Sequence, residues 1–541
     1  MDEIIKNSEY ITDITGYASD GSGVCRINGR AVFVKNTLEG ERWRIKIVKV
    51  SKTAVYAIGS ELLIASPERQ TPECPYFSKC GGCSLMHMSY KEELRYKLAR
   101  VNDCLRRIGG LDFKIDSIQG AENTSGYRNK GIYAVKNEDG QITSGFYRRR
   151  SHDITSVQCC IIQTKLSNAV SEAVCCWMSE YGVSAYDENS HSGIVRHIFT
   201  RCSFNYKQAQ ACIVCTSMPG HMDELIGSLR SISPSLSSIV LCINKSTGNT
   251  VLSGKFITVW GDTSIDESLC GLDFKLSPSS FFQINPAQAE YLYSLACKYA
   301  SPARNASVID LYCGTGTISL CLAKKAKLVI GAEIVQSAVD DAIANCRRNS
   351  IDNARFICAD AGKAAEQLAN EGIQPDALVI DPPRKGLDAP VIDAILKMSP
   401  RRIVYVSCDP ATMARDIALL KDYDVISGEA VDMFPRCSHV ETCVLLSKLN
   451  VEHHIEIDLN LDEMDLTSAE SAATYEEIKA HILETSGLKV SSLYIAQVKR
   501  KYGAIRRENY NLAKSDNSIQ PQCPPEKEQM IKSALEHFSM I

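Results

Sequence analysis

The chain has 541 residues, too long for one ordinary domain, and about three or four are expected. With 60 Lys and Arg against 64 Asp and Glu, the formal net charge is −4, which excludes an overall positive field; any polyanion must be held by local basic patches. The chain has no run of about 18 apolar residues and no signal-like apolar core at its start, so a membrane protein is excluded and a cytoplasmic one is expected.

Residues 9 to 65 alternate apolar and polar positions in short runs: Tyr10-Ile-Thr-Asp-Ile, Gly29-Arg-Ala-Val-Phe-Val, Trp43-Arg-Ile-Lys-Ile-Val-Lys-Val and Thr53-Ala-Val-Tyr-Ala. Asp20-Gly-Ser-Gly and Leu38-Glu-Gly separate them. That pattern predicts a small OB-like β-barrel over residues 1–66, an architecture of many single-strand RNA binders, with a protein-binding β module as the alternative.

A reducing compartment argues against a disulfide framework for the 23 cysteines, and most, such as Cys175, Cys212, Cys242 and Cys346, read as small buried residues. Cys74-Pro-Tyr-Phe-Ser-Lys-Cys80-Gly-Gly-Cys83 is different, because three thiols in a glycine-bearing loop can converge on one centre. Cys159 and Cys160 both offer a fourth ligand, and zinc and an iron–sulfur cluster both accept four thiolates.

Residues 67–270 read as this cysteine loop followed by a mixed α/β region with an amphipathic helix from Glu92 to Leu105. Tyr127-Arg-Asn-Lys130 and Gly145-Phe-Tyr-Arg-Arg-Arg150-Ser-His152 set aromatics beside cations, which suits a single-stranded RNA loop or, equally, a solvated face. Gly193 to Arg201 reads as a structural strand, and His197 as a core group.

A third domain, residues 271–448, opens on Leu276-Ser-Pro-Ser-Ser-Phe-Phe-Gln283-Ile-Asn285, with Asn285 before Pro286 read as a helix cap. Its centre is Val308-Ile-Asp-Leu-Tyr-Cys-Gly-Thr-Gly-Thr-Ile-Ser-Leu320, a buried strand breaking into a turn where Gly314 and Gly316 let the backbone approach a ligand. Glu333 ends a second strand about 20 residues on, the placement for hydrogen bonds to a ribose diol. Asp360 ends a third strand and Asp381-Pro-Pro383 a fourth, so a doubly wound parallel sheet with its ligand at the carboxyl ends is predicted. A fifth strand, Arg402-Ile-Val-Tyr-Val-Ser, delivers Cys408 to the same edge.

The order Asp-x-x-x-Gly-x-Gly, acid, Asp, Asp-Pro-Pro is similar to a class I, Rossmann-like S-adenosylmethionine methyltransferase. Methylating carbon 5 of uracil needs a thiolate added at carbon 6 and a base to remove the carbon-5 hydrogen. Cys408 and Glu441 are candidates for the two roles. Phe281-Phe-Gln-Ile-Asn, Asp310-Leu-Tyr-Cys-Gly-Thr-Gly, Asp381-Pro-Pro-Arg-Lys-Gly, Ser407-Cys-Asp-Pro and Asp432-Met-Phe-Pro-Arg-Cys-Ser-His-Val-Glu441 together resemble the RNA uracil-5-methyltransferases. The spacing of Gly21, Gly23, Val24 and Phe33-Val-Lys resembles their TRAM domain, and with the cysteine loop the likeness is to the 23S ribosomal RNA members, over residues 9 to about 448.

The resemblance implies S-adenosyl-L-methionine at Gln283, Tyr312, Glu333 and Asp381, beside the Gly314 and Asp360 already placed at that edge. It implies Cys408 as nucleophile, Glu441 as base and a [4Fe-4S] cluster on Cys74, Cys80, Cys83 and Cys160, the last preferred to Cys159 by its distance from Ile162-Gln163. It also implies 23S ribosomal RNA as partner, with a monomer expected. The alternatives are the same reaction on transfer RNA, or a noncatalytic RNA-binding assembly factor. Cys437 departs from the family, many of whose relatives carry another residue there, and is given no role. Residues 449–541 lie outside the resemblance: an acidic linker over 451–472, then two helices around Gly487 with a basic end at Lys499, Arg500, Lys501, Arg506 and Arg507.

Overall fold

The structure is a computed structural model describing residues 4–301, 304–448, 475–486, 488, 490–502 and 523–537. The chain divides into two compact units, Met1–Met464 and Asp465–Ile541. The acidic stretch 451–472, Gly487, Arg506 and Arg507 lie outside the described residues. No helix among the described residues is long and apolar enough to cross a membrane.

The first unit begins with a six-stranded sheet in the order Glu9–Asp13, Arg42–Val50, Val55–Ile64, Arg30–Lys35, Gly23–Ile27, Gly16–Tyr17. Ile14, Val32, Val34, Ile45 and Val55 fill its core, as the period-two pattern requires. Gly23–Ile27 is absent from the runs named above. It pairs with Arg30–Lys35 through Asn28-Gly29, both at positive φ (51° and 81°), the turn chemistry that closes a two-residue hairpin.

A seven-stranded sheet follows, in the order Ile154–Ser156, Gln141–Tyr147, Lys130–Glu138, Val195–Cys202, Ala209–Cys215, Leu236–Ile243, Lys255–Gly261. Every residue of Val195–Cys202 and Ala209–Cys215 is buried; the second is apolar but for Gln210, whereas the first also buries Arg196, His197, Thr200 and Arg201. Arg201 in that core donates to the carbonyls of Ser277 and Ser280 at 2.7 and 2.6 Å, fastening the sheet to the segment that opens the third domain.

The third sheet has eight strands in the order Ala354–Cys358, Leu328–Glu333, Ser307–Leu311, Ala377–Ile380, Arg402–Ser407, Glu441–Lys448, Tyr423–Val431, Ile118–Gln119. The first five are parallel. Glu441–Lys448 runs antiparallel to both its neighbours, because it returns from Tyr423–Val431 through the connection 432–440 and not through a crossover helix. The second unit contains Tyr475–Ser486, Ser492–Lys501 and a third helix absent from the sequence reading, Pro525–His537, around Ile478, Ile482, Ile495, Ile531 and Leu535.

The helix Tyr90–Arg107, capped by Ser89, carries the main buried charge of the first unit. Its Lys97 Nζ, fully buried, lies 2.7 Å from Glu93 and 2.6 Å from Asp432, and donates to the Phe434 carbonyl at 3.1 Å. Tyr90 hydroxyl donates to the other Asp432 oxygen at 2.7 Å. Burial works against the Lys97 ammonium, but the two carboxylates outweigh it and hold its pKa above the ordinary value. Removing that ammonium leaves Asp432 buried without its cation and Glu93 with only the Arg436 guanidinium 3.7 Å away, a change that costs about 3–5 kcal/mol. Lys97→Met should therefore lower the urea midpoint of the first unit by that equivalent, whereas Arg106→Met, which breaks only an exposed pair with Asp103, should leave it unchanged.

Candidate active site

The strands Ser307–Leu311 and Ala377–Ile380 are neighbours from which the chain winds in opposite directions, the switch point where a crevice opens at the carboxyl edge. Tyr312, just past the first strand, takes φ 66°, and Gly314 and Gly316 take 55° and 80°, so the turn is built from left-handed residues. A Cβ on Gly314 would meet nothing within 4 Å, leaving the backbone open to a ligand. Glu333 accepts from Gly314 N at 3.1 Å and from Val335 N at 2.9 Å, which fixes its carboxylate against the turn. Beside it Ile334 and Val335 are exposed, an apolar surface suited to a purine face. Asp360 spends one oxygen capping the helix Ala361–Asn370, accepting from Gly362 N at 3.0 Å. These features fit a nucleoside-bearing cofactor.

Asp310 is buried and Asp381 partly buried, and desolvation pushes each carboxyl up to about 7; for Asp310 the Ser319 hydroxyl pulls the other way. Gln283 lies beside the Tyr293 hydroxyl, which also feels Asp381. Asn285 occupies the cap position of the helix Pro286–Ala300, yet its side chain does not cap; it donates to the Met433 carbonyl at 3.3 Å.

Cys408 stands where Arg402–Ser407 turns into the helix Pro410–Leu419, whose cap Asp409 accepts from Ala411 N at 2.9 Å. Thr442 pairs with Ser407 in the antiparallel ladder, so Cys408 and Glu441 flank its last pair. Burial raises Glu441 to about 8, with Asp381 adding to the shift and Arg384 opposing it. Burial likewise raises Cys408 to about 11, helped by Glu441 and Asp381 and opposed by Arg384. Thiol, two carboxyls and one guanidinium thus share one pocket. Arg384 was quoted in its motif but given no role by the sequence. Its loop is pinned by Asp416, also missed, which accepts from Leu387 N at 2.7 Å and from Tyr405 hydroxyl at 2.6 Å.

The two basic clusters differ. Tyr127 is buried with its hydroxyl on the Pro435 carbonyl at 3.0 Å, and Asn129 donates to the Gln283 carbonyl at 2.8 Å, so this cluster braces the pocket. Lys130 stands 6.0 Å from the exposed ring of Phe281. Arg148, Arg149 and Arg150 are exposed, on a turn against the cysteine loop: Gly81 N donates to the Tyr147 carbonyl at 3.0 Å. His197 is buried beside Tyr147, and burial lowers it to about 4, which suits a core group.

Cys74, Cys83 and Cys160 border one apolar cluster with Phe77, Met86, Tyr127 and Ile162, and Cys80 lies close enough to Cys160 to raise its pKa. Backbone amides face two of the sulfurs, Gly82 N on Cys80 at 3.4 Å and Ile162 and Gln163 on Cys160. Cys159 is exposed and takes a hydrogen bond from Asn168 at 3.6 Å. No three His, Cys, Asp or Glu side chains among the described residues are spaced to hold a single metal ion.

A family model described as tRNA (Uracil-5-)-methyltransferase matches residues 264–449, and a TRAM domain model matches residues 7–59. An uncharacterized RNA methyltransferase of Clostridium tetani is 41% identical over 448 residues, 82% of this chain and 97% of that one. One from Caldanaerobacter subterraneus is 41% identical over 453 residues, 83% of this chain and 100% of that one. Among solved structures, the tRNA (uracil-54, C5)-methyltransferase of Pyrococcus abyssi, in complex with S-adenosyl-L-homocysteine, is similar at a TM-score of 0.65 and 26% identity, covering 81% of this chain and 100% of that one.

The raised Glu441 carboxyl has a consequence for stability. Its folded pKa of about 8 lies above an unfolded value near 4.3, so in that window the unfolded chain releases a proton that the folded chain keeps, and stability falls as pH rises. Glu441→Gln has no such proton. Its melting temperature should exceed the wild-type value at pH 8, and the gap should shrink toward pH 5; a gap independent of pH would show that Glu441 is not held protonated.

Proposed function

Because the chain belongs to the TRAM-containing RNA uracil-5-methyltransferase family and is an S-adenosylmethionine-dependent enzyme, we propose that it methylates carbon 5 of a uridine in 23S ribosomal RNA through a covalent adduct at Cys408. The observation that carries this reading is that Cys408 and Glu441 flank the last pair of one ladder, Ser407 with Thr442, and act electrostatically on each other, with Arg384 and Asp381 acting on both.

The Cys408 thiolate adds to carbon 6, and the enolate charge that develops on the ring is met by the Arg384 cation. S-adenosylmethionine supplies the electrophilic methyl group and leaves as S-adenosylhomocysteine. Glu441, as carboxylate, then takes the carbon-5 proton, the carbon–sulfur bond breaks, and Cys408 leaves as thiolate. Cys408 must lose a proton before addition and Glu441 before elimination, so turnover rises with pH as the two groups ionise, while methyl transfer itself does not wait on Glu441. The helix N-terminus after Cys408 and Arg384 both favour the thiolate. Glu333 takes the ribose hydroxyls, with Gln283, Tyr312, Gly314, Asp360 and Asp381 completing the cofactor site. Arg148, Arg149 and Arg150 and the TRAM sheet hold the RNA backbone.

The same proposal assigns a [4Fe-4S] cluster to Cys74, Cys80, Cys83 and Cys160. Shared packing and amides aimed at sulfur are what support it. The cysteine loop and the TRAM sheet favour ribosomal RNA. Transfer RNA is the second reading, favoured by the Pyrococcus abyssi enzyme, which by its name acts on tRNA. Mapping 5-methyluridine in 23S and transfer RNA, with and without the gene, separates the two.

Cys408→Ala should bind S-adenosylmethionine and methylate nothing, a loss of at least about 10³-fold. Glu441→Gln should transfer the methyl and then stall as a protein–RNA band that survives a denaturing gel; turnover by Cys408→Ala would defeat the mechanism. Protein purified without oxygen should be brown, and Cys160→Ser should lose the colour while Cys159→Ser keeps it. A colourless zinc protein would overturn the iron assignment.

A further inference from the structure

One carboxylate holds the exposed arginine turn at both ends. Tyr147 and His152 flank Arg148, Arg149 and Arg150. The Tyr147 hydroxyl donates to Glu188 Oε1 at 2.8 Å, and His152 Nδ1 donates to Glu188 Oε2 at 3.1 Å. Glu188 comes from a separate segment that is itself tightly turned. There Asp187 accepts from Asn189 N at 3.1 Å and from Ser190 N and Oγ at 2.7 and 2.9 Å, and Asp187 N donates to the Ser192 carbonyl at 2.8 Å.

His197 supports the pair from the buried side. A carboxylate can only accept, so the Tyr147 proton is spent on Glu188, and the 3.3 Å contact of that hydroxyl with His197 Nε2 requires the imidazole to donate. His197 Nδ1 then carries no proton, in keeping with its place as a buried atom without a hydrogen-bond partner among the described residues. The turn's own bonds are few. Arg148 N donates to the Asp153 carbonyl at 2.8 Å, Ser151 N to the Arg148 carbonyl at 3.3 Å, and Arg149 Nη2 to the Cys83 carbonyl at 3.4 Å. Arg150 takes φ 55°, a left-handed conformation that an arginine keeps only where its surroundings hold it.

We infer that Glu188 is a positioning residue for RNA: by fastening Tyr147 and His152 it keeps the three arginines in one arrangement for the phosphate backbone. The inference rests on the grip of those arginines on RNA proposed above. Charge alone predicts the opposite outcome. A carboxylate at the base of an arginine turn repels phosphate, so its removal would tighten binding if it were only a surface charge. As a clamp, its loss leaves the ordering of the turn to the RNA and weakens binding.

Trypsin cleavage at Arg148 to Arg150 in the folded full-length chain reads the turn without RNA. Glu188→Ala should be cut there about threefold faster or more than wild type, and Glu188→Gln, which keeps an acceptor for Tyr147, should fall between the two. Binding of a fluorescent uridine-rich single-stranded RNA at low salt should weaken about threefold or more in Glu188→Ala, while S-adenosylhomocysteine binding is unchanged. With Arg148, Arg149 and Arg150 all changed to Ala, RNA binding should weaken, and adding Glu188→Ala should cause no further loss. Tighter RNA binding by Glu188→Ala, an unchanged cleavage rate, or the same loss of affinity with and without the arginines would overturn the inference while leaving the arginine grip standing. Undiminished RNA binding by the triple alanine variant would remove the grip and this inference with it.

Discussion

One buried ammonium organises the first unit. Lys97 brings Glu93 of its own helix to Asp432 and the Phe434 carbonyl, elements some 335 residues apart in the chain. Around that point the 432–440 connection collects partners from every side: Gln288 on the Asp432 carbonyl, Asn285 on Met433, Tyr127 on Pro435, Arg100 on Ser438. A loop so held has few conformations left, and the strand it feeds starts at Glu441. The buried charges add little net stability, since an apolar replacement of equal volume could match them. What they fix is position, and removing one partner alone is costly.

The pocket downstream is an exercise in limited charge. Asp310, Asp381 and Glu441 are all raised by burial, Cys408 is raised with them, and Arg384 is the cation that opposes the shift at both Cys408 and Glu441. A sulfonium cofactor and an arginine beside so many buried acids supply the missing positive charge, after which thiolate and carboxylate cost less to form.

Much of the third sheet was legible in the sequence, because a buried parallel strand followed by a glycine turn leaves an unambiguous trace at Val308 to Gly316, and acids at strand ends recur at Glu333, Asp360 and Asp381. The antiparallel last strand was not, since direction depends on a connection and not on composition. The Asn28-Gly29 hairpin was available as a turn signal and passed over. Residues whose roles come from distant partners left no local trace: Lys97 looks like a surface lysine of an amphipathic helix, Asp416 like a helical acid, Glu188 like a solvated loop acid. The two basic clusters were alike in sequence, and only burial separates Tyr127 to Lys130, which braces the pocket, from Arg148 to Arg150, which faces solvent.

The central claim is that Cys408 becomes covalently bound to carbon 6 of the target uridine before methyl transfer is complete. RNA carrying 5-fluorouridine, incubated with enzyme and S-adenosylmethionine, tests it directly, because fluorine cannot leave as a cation and the adduct persists. Digestion and mass spectrometry should find the methylated fluorouridine on the peptide containing Cys408, with S-adenosylhomocysteine released in equal amount. A nucleotide on any other cysteine, or S-adenosylhomocysteine formed with no adduct, would contradict the account.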